Sequence, residues 1–152
     1  MAVMQISRKV DYALRAVIYL TYQNDLRPCS VAEIAAREGI PKKFLEKIIQ
    51  DLIHQGIVRS TRGAQGVYTL AKDPDRITFK DVIEAIEGPV SVNVCVGTGT
   101  GPACTLYKNC GMLWVWQEAQ RRVMEVFANT TLADVRARHG HVPTIEDAVV
   151  AG

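Results

Sequence analysis

Residues 30–58 read SVAEIAAREGIPKKFLEKIIQDLIHQGIV, and the fold follows from this stretch. Ser30 with Glu33 three residues later is a capping box that opens a helix. Val31, Ile34 and Ala35 give that helix a buried face, and Gly39 ends it at a position suited to left-handed backbone. Pro41 is placed as the first residue of a further helix running to Gln55. Phe44, Leu45, Ile48, Ile49, Leu52 and Ile53 recur on its apolar stripe, with Lys43, Lys47, Gln50 and His54 opposite. Two short helices joined by a tight glycine turn form a helix-turn-helix.

The next segment extends it. Ile57-Val58 and Val67-Tyr68-Thr69-Leu70 read as two strands, with Gly63-Ala64-Gln65-Gly66 as their turn. A hairpin in this place is a wing, and Arg59 and Arg62 stand on it, where they could enter a minor groove or grip phosphate. Lys42 and Lys43 lie in the first turn of the second helix, where cations oppose the helix dipole. They suit an end that faces phosphates; alone they are equally a solvated pair.

Working outward, residues 7–22 carry Val10, Ala13, Leu14, Val17, Ile18 and Thr21 at helical spacing, with Arg8, Asp11 and Arg15 on the other side. Thr78 and Asp81 open a helix with the core face Phe79, Val82, Ile83 and Ile86, stopped by Gly88-Pro89. A long helix spans about residues 112–128. Leu113, Trp116, Val123 and Phe127 lie on one side of it and Val115, Ala119 and Val126 on another, with Trp114 and Met124 nearby. A helix apolar on more than one face is buried on more than one face, so the second face is expected to meet another subunit. Thr131 and Asp134 cap a last short helix, and the tail after Gly140 is expected to be loose. The fold class is mainly α: a winged helix-turn-helix with a two-stranded wing and a long C-terminal dimerisation helix. It divides into a DNA-binding region, 1–76, a cluster loop with dimerisation helices, 77–140, and a tail, 141–152.

Charge supports the division. Net charge over 152 residues is only +2, but residues 1–80 carry 13 Lys and Arg against 8 Asp and Glu, and residues 81–152 carry 5 against 8. A basic first half and an acidic second half point to nucleic acid as partner of the first half. No apolar run approaches the roughly 20 residues that span a bilayer, and the N-terminus shows no signal peptide. A cytoplasmic location, reduced thiols and no membrane partner are expected. The only histidines, His54, His139 and His141, stand beside no acid or nucleophile in sequence, so no enzyme is expected.

Three of the four cysteines fall in CVGTGTGPACTLYKNC, residues 95–110. Gly97, Gly99, Gly101 and Pro102 make this a loop. Thiols gathered in a glycine-rich loop suit an iron–sulfur cluster, zinc or copper(I). Eight residues separate Cys95 from Cys104 and five separate Cys104 from Cys110, which matches neither a zinc-finger pair nor a CxxC redox motif. Cys29, beside the Ser30 cap, is a structural or incidental thiol.

These segments together resemble the Rrf-type family of winged-helix regulators, in its cluster-binding branch, which includes IscR and NsrR. The resemblance is carried by ISRKVDYALRAVIYL, the helix-turn-helix above, STRGAQGVYTLAKDP, ITFKDVIEAIEG, the three cysteines and LWVWQEAQRRVMEVFANTTLADV. It implies a homodimer on a palindromic double-stranded DNA operator, with the long helix of each subunit crossing the other. It implies an iron–sulfur cluster, [2Fe–2S] or [4Fe–4S], held by Cys95, Cys104 and Cys110. Lys43 and Glu46 match positions that meet base edges, and Arg62 matches the wing arginine. Candidate DNA contacts are thus Pro41, Lys42, Lys43, Glu46, Lys47, Arg59 and Arg62.

Three departures qualify the likeness. Family members commonly have five residues, not eight, between the first two cysteines. Val67 stands where a second glycine is common. Leu113 occupies the place of the IscR-like histidine ligand, so the NsrR-like solution, an Asp from the first helix of the other subunit, points to Asp11. The function implied is a cluster-dependent DNA-binding regulator sensing nitric oxide, redox state or iron–sulfur status. A zinc-stabilised regulator using His139 or His141, and an iron–sulfur carrier or scaffold without DNA binding, are the alternatives.

Overall fold

The computed structural model describes residues 6–61, 66–97 and 105–138. Expectations for Arg62, Cys104, His139, His141 and the tail 141–152 lie outside the described residues. Helix α1 (Arg8–Thr21) starts at Ser7, whose Oγ accepts the Val10 N–H at 3.2 Å and also donates to the Glu87 carboxylate. Val10, Ala13, Ala16, Val17 and Leu20 are all essentially inaccessible; the last two turns of the stripe thus gain Ala16 and Leu20, and Ile18 is only half-buried.

A short 3₁₀ turn, Asn24–Leu26, follows, with Asp25 and Leu26 both at φ 52°. Left-handed backbone disfavours a branched side chain. The buried Thr69 holds this turn, its hydroxyl donating to the Leu26 carbonyl at 2.9 Å.

Helix α2 (Val31–Glu38) has Ser30 as cap, Oγ accepting the Glu33 N–H at 3.1 Å. Only half of the predicted capping box forms, because the Glu33 carboxylate turns to Arg27 and Tyr19 instead. Gly39 adopts φ 65°, and nothing lies within 4 Å of a Cβ built there; the backbone angle, not crowding, calls for glycine. Helix α3 (Lys42–His54) begins one residue later than predicted, with Pro41 as cap; the Pro41 carbonyl accepts the Phe44 and Leu45 N–H groups at 3.0 Å each. Leu45, Ile48, Ile49 and Leu52 are fully buried. Phe44 departs from the predicted stripe: it is 42% exposed and stands edge-to-face with Tyr12, ring centroids 5.7 Å apart.

The two-stranded wing forms as predicted, and a third short strand from ahead of α2 joins its sheet. After β1 (Cys29–Ser30) come β2 (Val58–Thr61) and β3 (Val67–Leu70), in the order β1-β3-β2 and antiparallel throughout. Val58 stands opposite Leu70, Arg59 opposite Thr69, and Ser60 opposite Tyr68, with Cys29 on the other side of Tyr68. Ile57, predicted to begin the strand, is a buried residue of the α3–β2 turn, its N–H bonded to the Leu52 carbonyl.

Helices α4 (Phe79–Glu87) and α6 (Leu132–Ala137) start from matching capping boxes, Thr78 with Asp81 and Thr131 with Asp134. The two caps pair with each other, Phe79 N–H to the Thr130 carbonyl and Leu132 N–H to that of Ile77. Val82, Ile83 and Leu132 join the same apolar cluster as α1 and α3. Helix α5 (Leu113–Asn129) has no buried residue. One side is half-buried, with Phe127 against Phe79 at 5.7 Å; the other leaves Trp114 69% and Val126 61% exposed.

Glu33 ties α1 to α2. Arg27 reaches it with both terminal nitrogens, at 2.5 and 3.3 Å, and the Tyr19 hydroxyl donates at 2.9 Å. The Arg27 guanidinium, then Tyr19, holds the carboxyl below the usual carboxylate range. Its ionised form therefore stabilises the fold above the usual glutamate range, and that contribution is lost as pH falls through the lowered value. Glu33→Gln should melt below the parent at pH 7, and the gap should narrow on acidification; thermal melts taken from pH 7 downward check this.

Candidate nucleic-acid interface and cysteine loop

The outward face of α3 borders a cleft of about 750 Å³. Lys42, Lys43, Glu46, Lys47 and Gln50 line it from α3, Ser30, Val31 and Ala32 from the start of α2, and Gly66 and Tyr68 from the wing. The burial of Leu45, Ile48, Ile49 and Leu52 fixes which way this face points, because residues three and four apart share a helix side. Among the described residues, Lys42, Lys43 and Lys47 make no ion pair. The first turn of α3 also has no acidic residue and no side-chain cap, so the free N–H groups and three cations add to one positive surface.

Arg59 does not join this surface. It lines a separate depression with Leu26, Lys72 and Arg76. Its neighbour Ser60 is opposite Tyr68, which lines the cleft, and successive strand residues point to opposite faces. Arg59 is exposed, but on the far side of the sheet from α3.

The two described thiols of the cysteine loop sit at its ends. Cys95 rides on a short 3₁₀ turn, Val94–Val96, where the Asn93 Oδ1 accepts the Val94 N–H at 2.7 Å. Cys110 follows a second such turn, Tyr107–Asn109, and its carbonyl accepts the Leu113 N–H at the start of α5. Both are free and half-buried. Cys29 is apart from them, buried on β1 with its thiol pushed up by burial. Among the described residues no three His, Cys, Asp or Glu side chains come close enough to hold a metal; Cys104 is not one of them.

Asp11 is half-exposed on α1 and pairs with Arg15 at 3.1 Å. The same guanidinium donates to the Glu38 carbonyl at 3.3 Å and lies 5.9 Å above the Tyr12 ring, which in turn meets Phe44 of α3. No described helix is long and apolar enough to cross a membrane.

A family model described as "Iron-dependent Transcriptional regulator" matches residues 6–138. The chain belongs to the Rrf2 family of transcriptional regulators. Among Rrf2 relatives, CymR of Bacillus subtilis is 35% identical over 132 residues, 87% of this chain and 89% of CymR. The structure of that protein, the global cysteine regulator of B. subtilis, superposes with a TM-score of 0.72 at 31% identity, covering 88% of this chain and 97% of that one. The structure of T. potens IscR superposes with a TM-score of 0.68 at 28% identity, covering 93% and 94%. The Rrf2 relatives are regulators, not enzymes.

Tyr68, Ser30 and Ala32 are cleft residues absent from the sequence-based site. The strand register that places Tyr68 at the cleft was already implied by the alternation of Tyr68 with Thr69; Ser30 and Ala32 depend on how α2 crosses α3, which periodicity does not encode. Because cations in the first turn oppose the helix dipole, Lys43→Glu should stabilise the isolated protein by about 0.3–1 kcal/mol, measured by urea denaturation.

Proposed function

We propose that this Rrf2 protein is a cytoplasmic, dimeric regulator whose binding to DNA depends on an iron–sulfur cluster. The observation that carries the DNA-binding half is the unpaired lysine set of α3, held against the helix dipole on the rim of a cleft that the wing completes. Helix α3 lies in a major groove, with Lys43 and Glu46 toward base edges and Lys42 and Lys47 toward phosphate, and Arg62 is a further DNA contact. Two such heads, related by a dimer built on the exposed side of α5, fit a palindromic operator. Residues 1–76 read DNA and residues 77–140 sense.

Support for the cluster half is the iron-dependent description of the family model and the donor set itself: Cys95 and Cys110 are unpaired, half-buried thiols at the two ends of one loop. Cys95, Cys104 and Cys110 would hold the cluster, [2Fe–2S] or [4Fe–4S], with Asp11 donated across the dimer. Such a cluster supplies an iron centre reactive toward nitric oxide and oxidants. Asp11 already pairs with Arg15, so serving as a ligand and holding Arg15 compete for one carboxylate. Arg15 touches the turn of the helix-turn-helix at Glu38 and, through Tyr12, the first turn of α3, which links Asp11 to the reading head.

Anaerobic purification with absorption spectroscopy and footprinting of loaded and stripped protein tests this. A brown dimer that protects a symmetric site only in one of the two states is the expected result. A colourless zinc protein would favour a closed site with His139 or His141, and a brown protein without DNA affinity a carrier. Lys42→Ala should weaken binding to all sequences and lower the slope of log affinity against log salt by about 0.9; loss confined to one base pair would make Lys42 a base reader. Cys104→Ala should abolish cluster absorbance without unfolding, whereas Asp11→Ala should keep the cluster but alter its spectrum and its coupling to DNA binding.

A further inference from the structure

We infer that Gln120 is a positioning residue that fixes Cys95 relative to Cys110 by clamping the chain ahead of Cys95 onto α5; as a statement about a metal site, this rests on the cluster proposed above. The side chain of Gln120 makes two hydrogen bonds to one short segment. Its Nε2 donates to the Val90 carbonyl and its Oε1 accepts the Val92 N–H, both at 2.8 Å. Residues 90–92 belong to no helix or strand, so their inward backbone groups need partners from elsewhere. One amide serves both, as a neighbouring strand would, and Val92 is left only 7% exposed.

The clamp is transmitted to Cys95 through a closed turn. The Val96 N–H donates to the Asn93 carbonyl at 3.1 Å, and the Asn93 side chain caps Val94. Gly97 folds back on Ser91 so closely that a Cβ there would stand 3.2 Å from the Ser91 Oγ. Cys95 is thus carried inside a compact unit whose stem Gln120 grips. Cys110 is tied to the same helix at its start, through the Leu113 N–H. The two anchor points, Leu113 and Gln120, are two turns apart on one rigid rod, about 10 Å along its axis. Helix α5 therefore sets the separation of the two ends of the cysteine loop, and does so before any metal arrives.

The test uses Gln120→Leu, which keeps volume and removes both hydrogen bonds, and Gln120→Glu, which keeps the acceptor for Val92 and loses the donor to Val90. In stripped full-length protein carrying Cys29→Ala and Cys104→Ser, nitroxides on Cys95 and Cys110 should show a narrow distance distribution with Gln120 and a broad one with Gln120→Leu. In otherwise native, loaded protein, Gln120→Leu should release iron to a chelator about tenfold faster, in line with the affinity lost when groups that orient metal ligands are removed, with Gln120→Glu between the two. Equal widths of the distance distributions would overturn the clamp. A broadened distribution with an unchanged rate of iron release would overturn its role at the metal site. Should the parent protein bind no cluster, the cluster proposal falls, and the nitroxide distances still decide whether Gln120 positions Cys95.

Discussion

The burial of α1 is the constraint on which the rest of the structure depends. This helix packs against α2, α3, α4 and α6 together. Its inner face alternates bulk with small residues: Ala13 and Ala16 have no exposed surface and let neighbouring helices approach, while Val17 and Leu20 fill the spaces between. Each buried Val or Leu contributes about 1.5–3 kcal/mol relative to exposure. Because the helix-turn-helix and the C-terminal helices share this one core, α1 cannot be displaced without disturbing both. Asp11 sits on that helix, and the pair it forms with Arg15 is a surface contact of small intrinsic worth. Arg15 in turn touches the Glu38 carbonyl and the Tyr12 ring.

Helix α3 sets a well-packed inner face against an unfavourable first turn. Its inner face is as dry as any in the protein. Its first turn has lysines where carboxylates would be favourable, and lacks a side-chain cap. The helix tolerates this because Leu45, Ile48, Ile49 and Leu52 hold it down; a helix dependent on its own propensity would fray there.

The helices and both wing strands were legible because periodicity and caps are local properties. Both Thr–Asp capping boxes, the Gly39 turn and the α3 core stripe appear where the pattern places them. What escaped was decided by distant partners. Strand β1 is two residues long, too short for alternation to register, and exists because β3 offers an edge. Phe44 has the spacing of a core residue, but it lies at the margin of the stripe and stays 42% exposed beside Tyr12. Arg59 was grouped with the α3 lysines by charge, yet the strand pleat turns it away. The Glu33 carboxylate was assigned to its own cap and is claimed by Arg27, six residues earlier. Gln120 looks like an ordinary solvated residue of an amphipathic helix until the backbone of Val90 and Val92 arrives beside it. The cysteines and the long helix after them were visible from spacing and composition, whereas the bonds that tie both ends of the loop to that helix were not.

Anchoring both ends on one helix also frees the loop to vary in length. Eight residues lie between Cys95 and Cys104, three more than between Cys104 and Cys110. Where the ends of a loop are fixed by the scaffold, three added residues raise the closure entropy by only about 0.2 kcal/mol. Insertions between Cys95 and Cys104 are then nearly free in folding terms, while the spacing of the anchors stays constant.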